Sequence, residues 1–212
     1  MTHNPKNIEL YIFDWSGVIS DDRKPVYETT ARVLKQFGKP VPLFDDALKN
    51  ATMTPVQFYR KAGITEDEQQ LKSLFKTYFQ EAVSQGNAPT VYREAKKILR
   101  YLNDLGKKIF ILSSHPEKFI QDEAEQYGIS EYISYIQGGS HDKGADLTYI
   151  YKKFDYAPKT VLYIGDTIYD IRSAKTAGTL SAGITGGYHA KEQLTKENPD
   201  FLFNSLMELA DI

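Results

Sequence analysis

The sequence predicts an α/β protein, a doubly wound parallel sheet with an all-helical segment inserted after the first strand. Short apolar runs recur along the chain and alternate with single helix-length segments, the order that βαβ units produce. Two of these runs, at 8–13 and 161–164, lead into an aspartate and a glycine. Open α/β sheets bind ligands at the carboxyl ends of their strands, so both acids are candidate site residues.

The composition limits the class of protein before any motif is considered. The chain has 212 residues, 41% of them hydrophobic, which is enough for one large domain, or for a core domain with a modest insertion. It has no cysteine, which excludes disulfides and thiolate chemistry. A net charge of −2 argues against a nucleic-acid partner. Residues 1–7 lack the apolar segment of a signal peptide, and no run could span a membrane, so we expect a cytoplasmic protein.

The first strand is predicted over 8–13, and residues 21–88 then show helical patterns only. Apolar spacing predicts a helix from Val26 to Gly38 and two further helical stretches at about 44–62 and 66–85, the first interrupted at Thr54-Pro55. A linker over 85–89 follows. The sequence therefore predicts two domains. The helical insertion comprises residues 21–88, and the core is built from residues 1–20 and 89–212.

After the linker, helices and strands alternate to the end of the sheet. Glycines end several of the helices, as expected where a left-handed residue follows the last turn. The predicted helices are 91–105, 117–127, 145–154 and 168–177, and the predicted strands are 108–112, 133–136, 161–164 and 180–184.

The strand ends and their loops offer a set of groups suited to phosphate chemistry: Asp14, Ser113, Lys143, Asp166 and Asp170. Carboxylates from separate strands suit a hard divalent cation such as Mg²⁺, which prefers oxygen ligands. A serine hydroxyl and a lysine would bind the remaining phosphate oxygens. A carboxylate can also act as a nucleophile and form an aspartyl-phosphate. The pattern therefore favours phosphoryl transfer.

These motifs resemble those of the haloacid dehalogenase-like hydrolases that carry a helical cap, especially phosphoglycolate-phosphatase-like and phosphonatase-like members. The segment Asp14-Trp15-Ser16-Gly17-Val18 resembles the family's nucleophile loop. Ser113 resembles its second motif, and Lys143 its lysine motif. The segment 165–170, Gly-Asp-Thr-Ile-Tyr-Asp, resembles its metal motif.

The resemblance implies overlapping sets of site residues, with Asp14 as the nucleophile. The implied catalytic residues are Asp14, Ser16, Ser113 and Lys143. The implied phosphate-binding residues are Gly17, Ser113, Ser114 and Lys143, where Ser114 is an alternative to Ser113 by spacing alone. The implied Mg²⁺ ligands are Asp14, the carbonyl of Ser16, Asp166 and Asp170, the last as a ligand or a support. A small phosphorylated substrate, no nucleic-acid or membrane partner, and a monomer or homodimer are expected.

Ser16 departs from the family's phosphatases, which have an acid two residues after the nucleophile. General acid–base help contributes roughly 10²–10⁴-fold to a rate. Three explanations stay open: the leaving group needs no acid, as in an acyl phosphate; another group, such as Asp21, Asp22, His115 or a residue of the cap, replaces it; or the protein binds a phospho-ligand with little or no turnover.

A carbon–phosphorus hydrolase is a further alternative, because phosphonatases often have Trp after the nucleophile and also lack the second acid. Trp15 would then wall the pocket, although an ordinary packing role is an equal alternative. Those enzymes form a Schiff base on a lysine of the cap. The segment 51–55, where that lysine is expected, contains none, and Lys49 and Lys61 are out of place.

Overall fold

A computed structural model describes residues 8–52 and 54–212. The opening segment 1–7, on which the signal-peptide expectation rests, and Met53 lie outside the described residues. The strands are β1 (Leu10–Phe13), β2 (Ser20–Asp21), β3 (Thr90–Val91), β4 (Lys108–Leu112), β5 (Tyr135–Gln137), β6 (Val161–Gly165), β7 (Leu180–Ile184) and β8 (Phe201–Phe203). Six of them form one sheet in the order β5-β4-β1-β6-β7-β8, and β2 pairs with β3.

Every neighbouring pair in the six-stranded sheet is parallel, which confirms the predicted α/β class. The α-helices are α1 (Arg23–Gln36), α2 (Phe44–Lys49), α3 (Pro55–Lys61), α4 (Glu68–Ser84), α5 (Arg93–Asp104), α6 (Glu117–Tyr127), α7 (Lys143–Lys153), α8 (Ile168–Ala177) and α9 (Lys191–Lys196). Short 3₁₀ turns cover 130–132, 158–160 and 206–211. None of the helices in the described ranges is long and apolar enough to cross a membrane.

The strand β1 is apolar along its whole length because helices cover both faces of the sheet. Tyr11 and Phe13 belong to a core cluster that includes residues of α5 and α6. Leu10 and Ile12 belong to a second cluster that includes residues of α7 and α8. The alternation of side chains along the strand therefore feeds two cores, one on each face of a doubly wound sheet.

The described chain separates into two compact units. One runs to Ser20 and resumes at Val91, and it contains the six-stranded sheet. The other comprises Asp21–Thr90, where α1, α3 and α4 contribute to a small core of its own. The buried members of that core are Val33, Leu34, Val56, Tyr59, Ile64 and Leu71.

Several boundaries differ from the predicted ones. The helix expected from Val26 begins at Arg23, because Pro25 lies in the first turn, where a missing N–H costs no hydrogen bond. The stretch 44–62 forms two helices, and Thr54 caps the second by accepting a hydrogen bond from Gln57 N. The short strands β2 and β3, which were not predicted, flank the insertion, and of their residues only Asp21 lies within the range 21–88 where helices alone were expected.

Candidate active site

The side chain of Lys143 lies between two of the predicted carboxylates. Its Nζ is 2.7 Å from Asp14 Oδ2 and 2.7 Å from Asp170 Oδ1. Asp14 directly follows β1, Lys143 is the first residue of α7, and Asp170 lies in the first turn of α8. All three residues are buried. Segments that are distant in the sequence thus bring the predicted nucleophile, lysine and metal-motif acid into direct contact.

The electrostatics of this contact favour the charged form of the lysine. Burial alone lowers the pKa of Lys143, but the charges and hydrogen bonds of Asp14 and Asp170 outweigh it, and the pKa is raised. Burial also raises the pKa of Asp170, but Lys143 and the hydrogen bonds from Thr167 reverse this effect, and the pKa is lowered. For Asp14, burial is the larger influence, and its pKa is raised despite Lys143 and a hydrogen bond from Ser113.

Asp166, which directly follows β6, is the least compensated acid of the group. Its Oδ2 accepts a hydrogen bond of 2.6 Å from Tyr188 N. Its Oδ1 is buried and has no hydrogen-bond partner in the described part of the chain. Burial raises the pKa of Asp166 well above its ordinary value, and the nearby charges of Asp170 and Asp14 raise it further. This oxygen therefore needs either a proton or a cation.

The three carboxylates fit a divalent cation. Oxygen atoms of Asp14, Asp166 and Asp170 lie within 4.8 Å of one another. Three carboxylates and one ammonium leave a charge of 1 − 3 = −2 when all four groups are ionised. A hard cation such as Mg²⁺ binds oxygen ligands and would neutralise this charge. The unpartnered Oδ1 of Asp166 is the oxygen that such an ion would satisfy.

The oxygens of Asp170 are already engaged. Oδ1 accepts hydrogen bonds from Lys143 Nζ and from the Tyr163 hydroxyl, the latter at 3.1 Å. Oδ2 accepts from Thr167 N at 3.0 Å and from Thr167 Oγ1 at 2.5 Å. These bonds fix the carboxylate, so the arrangement suits a supporting role better than direct ligation.

Ser113 directly follows β4 and is the buried member of the two serines. It is 1% exposed, and its side chain hydrogen-bonds the Asp14 carboxyl. Ser114 is half-buried. The structure therefore brings Ser113, the serine favoured by the motif, to the predicted nucleophile.

Two glycines allow the backbone to approach Asp166 closely. At Gly17 the φ angle is +76°, and an added Cβ would lie 2.1 Å from Asp166 Oδ2. At Gly187 an added Cβ would also lie 2.1 Å from the same oxygen. Only glycine fits at either position without displacing the acid. Ser16, which precedes Gly17, is half-buried and forms an isolated backbone β-bridge with Ser20.

Some contributors to the site are not among the residues that the sequence indicated. The Tyr163 hydroxyl, in the middle of β6, contacts both Asp170 and the carbonyl of Leu112. Because Tyr163 lies in an apolar run, the sequence pattern predicts a core residue there and does not indicate a role in the site. Thr167 had a readable signal, because Thr167 and Asp170 form a capping box with the spacing that such boxes require.

Comparison with known proteins identifies the family of this chain. Residues 11–184 match the family model of the haloacid dehalogenase-like hydrolases. A curated phosphoglycolate phosphatase of Vibrio vulnificus is 30% identical over 148 residues, 68% of this chain and 64% of the relative. The chain thus spans less than two thirds of that relative's own length. A phosphoglycolate phosphatase of Vibrio cholerae is 25% identical over 98% of this chain and 97% of its own.

Solved structures agree with the fold. A haloacid dehalogenase-like hydrolase from Streptococcus pneumoniae superposes with a TM-score of 0.83 at 18% identity, covering 97% of this chain and 98% of that one. Identity this low supports the fold alone. The family match covers most of the chain and includes the segments that carry Asp14, Lys143 and Asp166, which confirms the resemblance seen in the motifs. The chain belongs to the haloacid dehalogenase-like hydrolases.

Proposed function

We propose that the protein is a Mg²⁺-dependent phosphohydrolase that acts on a small phosphorylated metabolite through an aspartyl-phosphate intermediate. The observation that carries this proposal is the buried cluster at the end of β1, where Asp14 contacts Lys143 beside the unpartnered oxygen of Asp166. The curated relatives named phosphoglycolate phosphatase support the substrate class.

The proposed reaction has two displacements at phosphorus. A carboxylate oxygen of Asp14 attacks the phosphoryl group, and the bond to the leaving oxygen breaks with its electron pair. Water then attacks the phosphorus of the aspartyl-phosphate and the bond between phosphorus and the Asp14 oxygen breaks, so that inorganic phosphate leaves with both protons of the water and Asp14 is restored as a carboxylate. Lys143 and Ser113 bind phosphoryl oxygens in both steps. Mg²⁺, held by Asp14, the Ser16 carbonyl and Asp166 with Asp170 in support, would supply further neutralisation of charge.

The absence of an acid at position 16 restricts the leaving group. A serine hydroxyl does not ionise in the range in which a carboxyl group donates a proton, so Ser16 is a poor substitute for a general acid. Where no other group supplies the proton, we expect a preference for leaving groups that need little protonation, such as those of acyl phosphates, over simple alkyl esters.

We also propose that residues 21–88 form a cap domain and that residues 1–20 and 89–212 form the catalytic core. The insertion has its own buried core, and every site residue named above belongs to the sheet-containing unit. Selection among substrates would then be a property of the insertion, because the core groups recognise only phosphate and the metal.

The decisive experiment compares wild type, Asp14→Asn and Asp211→Asn on a panel of phosphate esters, acyl phosphates and phosphonates, with and without Mg²⁺. Asp211 is exposed at the far end of the chain and serves as the matched control. We expect Mg²⁺-dependent turnover in wild type and in the control, and none in Asp14→Asn. Turnover that survives Asp14→Asn would contradict the assignment of the nucleophile.

A second candidate function, a phospho-ligand-binding protein with little turnover, is favoured by Ser16 alone. The substitution Ser16→Asp separates the two. A rise from no activity to measurable phosphatase activity would favour the binding protein. No change would mean that another group already supplies the proton in a working enzyme. A carbon–phosphorus hydrolase would instead require borohydride to trap an aldehyde substrate on a lysine, and absence of trapping would remove that alternative.

A further inference from the structure

The carboxylate of Glu123, on α6, contacts the segment that follows the nucleophile. Its Oε2 accepts a hydrogen bond of 2.6 Å from Trp15 Nε1 and one of 3.0 Å from Ser20 Oγ. Trp15 is the residue next to Asp14, and Ser20 begins β2. Sequence patterns give no sign of this contact, because more than 100 residues separate Glu123 from either partner.

The two residues that Glu123 contacts are the two ends of a closed loop. The carbonyl of Trp15 accepts hydrogen bonds from the N–H groups of Val18, Ile19 and Ser20. In return, Gly17 N donates to the carbonyl of Ser20 at 2.8 Å. Ser16 and Gly17, the residues implied in metal and phosphate binding, lie within this loop. One carboxylate therefore holds the loop at both ends.

The contact is sheltered and has further support. Trp15 is 1% exposed and stacks on Tyr127 with ring centroids 6.1 Å apart. The Tyr127 hydroxyl is 2.8 Å from Ser20 Oγ and 3.4 Å from Glu123 Oε2. Hydrogen bonds from neutral donors to an ionised carboxylate are stronger than those between neutral groups. Trp15 therefore packs in the core. Of the two roles considered for it, a pocket wall or ordinary packing, this is the second.

The other oxygen of Glu123 faces the phosphate-binding loop after β4. Glu123 Oε1 lies 3.8 Å from His115 Nε2, and His115 N donates a hydrogen bond of 3.3 Å to Ser113 Oγ. Burial lowers the pKa of His115 more than the charge of Glu123 raises it, which favours the neutral imidazole. Glu123 thus lies between the nucleophile loop and the loop that presents Ser113.

We propose that Glu123 is a positioning residue that fixes the nucleophile loop for phosphoryl transfer. The inference rests on the proposed function and adds a residue to it. Attack at phosphorus needs Asp14 and the phosphoryl group in one narrow geometry, and a displacement of about 1 Å can cost about 100-fold in rate. Glu123 acts through Trp15 and Ser20 and touches neither substrate nor metal, so it governs kcat more than KM.

The test compares Glu123→Gln with Glu125→Gln, an exposed glutamate on the same helix. Glu123→Gln keeps the shape of the side chain and removes its charge. We expect kcat to fall about tenfold or more, with KM changed less than about twofold, and Glu125→Gln to match wild type. Trp15 is the sole tryptophan of the chain, so intrinsic fluorescence reports on this contact directly. Its emission should shift in Glu123→Gln and not in the control.

A second variant, Trp15→Phe, removes the indole donor and keeps an aromatic ring in the core. We expect the same loss of kcat, and the double variant with Glu123→Gln should lose little more than either alone. A lower thermal midpoint with unchanged kcat in both single variants would overturn the inference and leave the proposed function standing. If Glu123→Gln does not fold, unchanged kcat in Trp15→Phe alone would overturn it. Absence of Asp14-dependent turnover in wild type would instead overturn the proposed function, and the inference with it.

Discussion

The side chain of Lys143 is 5% exposed and lies within hydrogen-bond distance of two carboxylates. A buried ion pair contributes little net stability relative to an apolar pair of the same shape, but removal of one partner leaves an uncompensated buried charge. Its ammonium therefore compensates the buried charges of Asp14 and Asp170, and its removal alone would leave them uncompensated.

We predict that Lys143→Met lowers the free energy of unfolding by about 3–5 kcal/mol at neutral pH, because two buried carboxylates lose their counter-ion. Turnover should fall by about 10²–10³-fold, since one charged donor to the phosphoryl group is lost. Urea unfolding and steady-state kinetics measure the two effects. Lys152→Met, an exposed change on the same helix, is the control and should alter neither. A variant as stable and active as this control would contradict the role of Lys143.

The raised pKa of Asp166 makes the stability of the metal-free protein depend on pH. A carboxyl group whose pKa is higher in the folded state binds its proton more tightly there than in the unfolded chain. Its contribution to stability is therefore fully present below the unfolded pKa, about 3.9, and is lost as the pH rises through the folded value. Deprotonation leaves a negative charge on a carboxylate whose Oδ1 is buried and has no hydrogen-bond partner in the described residues. This charged form is the one that a cation would bind.

We predict that Mg²⁺ binding weakens as the pH falls below the raised pKa of Asp166, by up to about tenfold per pH unit, because the ion must displace a proton. Calorimetric titration in two buffers of different ionisation enthalpy should detect release of up to about one proton per Mg²⁺. The thermal stabilisation that Mg²⁺ gives should be larger at pH 8 than at pH 5.5. Asp166→Asn should abolish both effects, and equal affinity at the two pH values would count against the assignment.

The loops that follow β1 and β7 contain two glycines that pack against Asp166, Gly17 and Gly187. Gly178, which follows α8, has the same φ angle of +76° as Gly17, so alanine is strained by backbone conformation at both positions. They differ in surroundings: an added Cβ at Gly17 would overlap Asp166 and Tyr188, whereas at Gly178 nothing lies within 4 Å.

We predict that Gly17→Ala lowers Mg²⁺ affinity and turnover by about tenfold or more, because the new methyl group displaces the carboxylate. Gly178→Ala should cost about 1 kcal/mol of stability, the left-handed strain alone, and leave Mg²⁺ affinity unchanged. Titration of Mg²⁺ by calorimetry and thermal unfolding of both variants distinguish the clash from the strain. Equal Mg²⁺ affinity in Gly17→Ala and Gly178→Ala would show that the close approach of Gly17 to Asp166 does not affect metal binding.

Most of the helices and strands that the sequence predicted have long or fully apolar patterns, and the short strand predicted at 133–136, which overlaps β5, is the exception. The runs at β1 and β6 are readable because both faces of a parallel strand are buried. The strand Phe201–Phe203 and the helix Lys191–Lys196 escaped prediction. Each is too short for a periodicity to develop, and β8 is an edge strand whose first two residues are only half-buried.

The site was predictable as far as strand ends and motif order define it. Asp14, Ser113 and Asp166 each directly follow a parallel strand, so the topology alone brings them to one edge of the sheet. The partners that orient them were not predictable. Tyr163 and Glu123 act through contacts set by side-chain direction and helix packing, which a pattern of residue types does not encode.

The two compact units divide the proposed work unequally. Asp14, Ser16, Ser113, Lys143, Asp166 and Asp170 all belong to the unit that contains the sheet. The unit Asp21–Thr90 has its own apolar core, as a domain that can fold by itself does. The pairing of β2 with β3 brings the ends of this insertion together, so a short turn could replace it.

We predict that replacement of residues 22–89 by a two-residue Asn-Gly turn leaves a folded protein that binds Mg²⁺ within about tenfold of the full chain, because every proposed ligand remains. Hydrolysis of small metabolites should lose its selectivity, since the segment proposed to recognise them is absent. Circular dichroism, Mg²⁺ titration and the substrate panel measure these properties, with Asp166→Asn in the shortened chain as the control. A folded shortened chain that keeps the selectivity of the full chain would place substrate recognition in the core. One that folds without binding Mg²⁺ would show that the metal site needs the insertion.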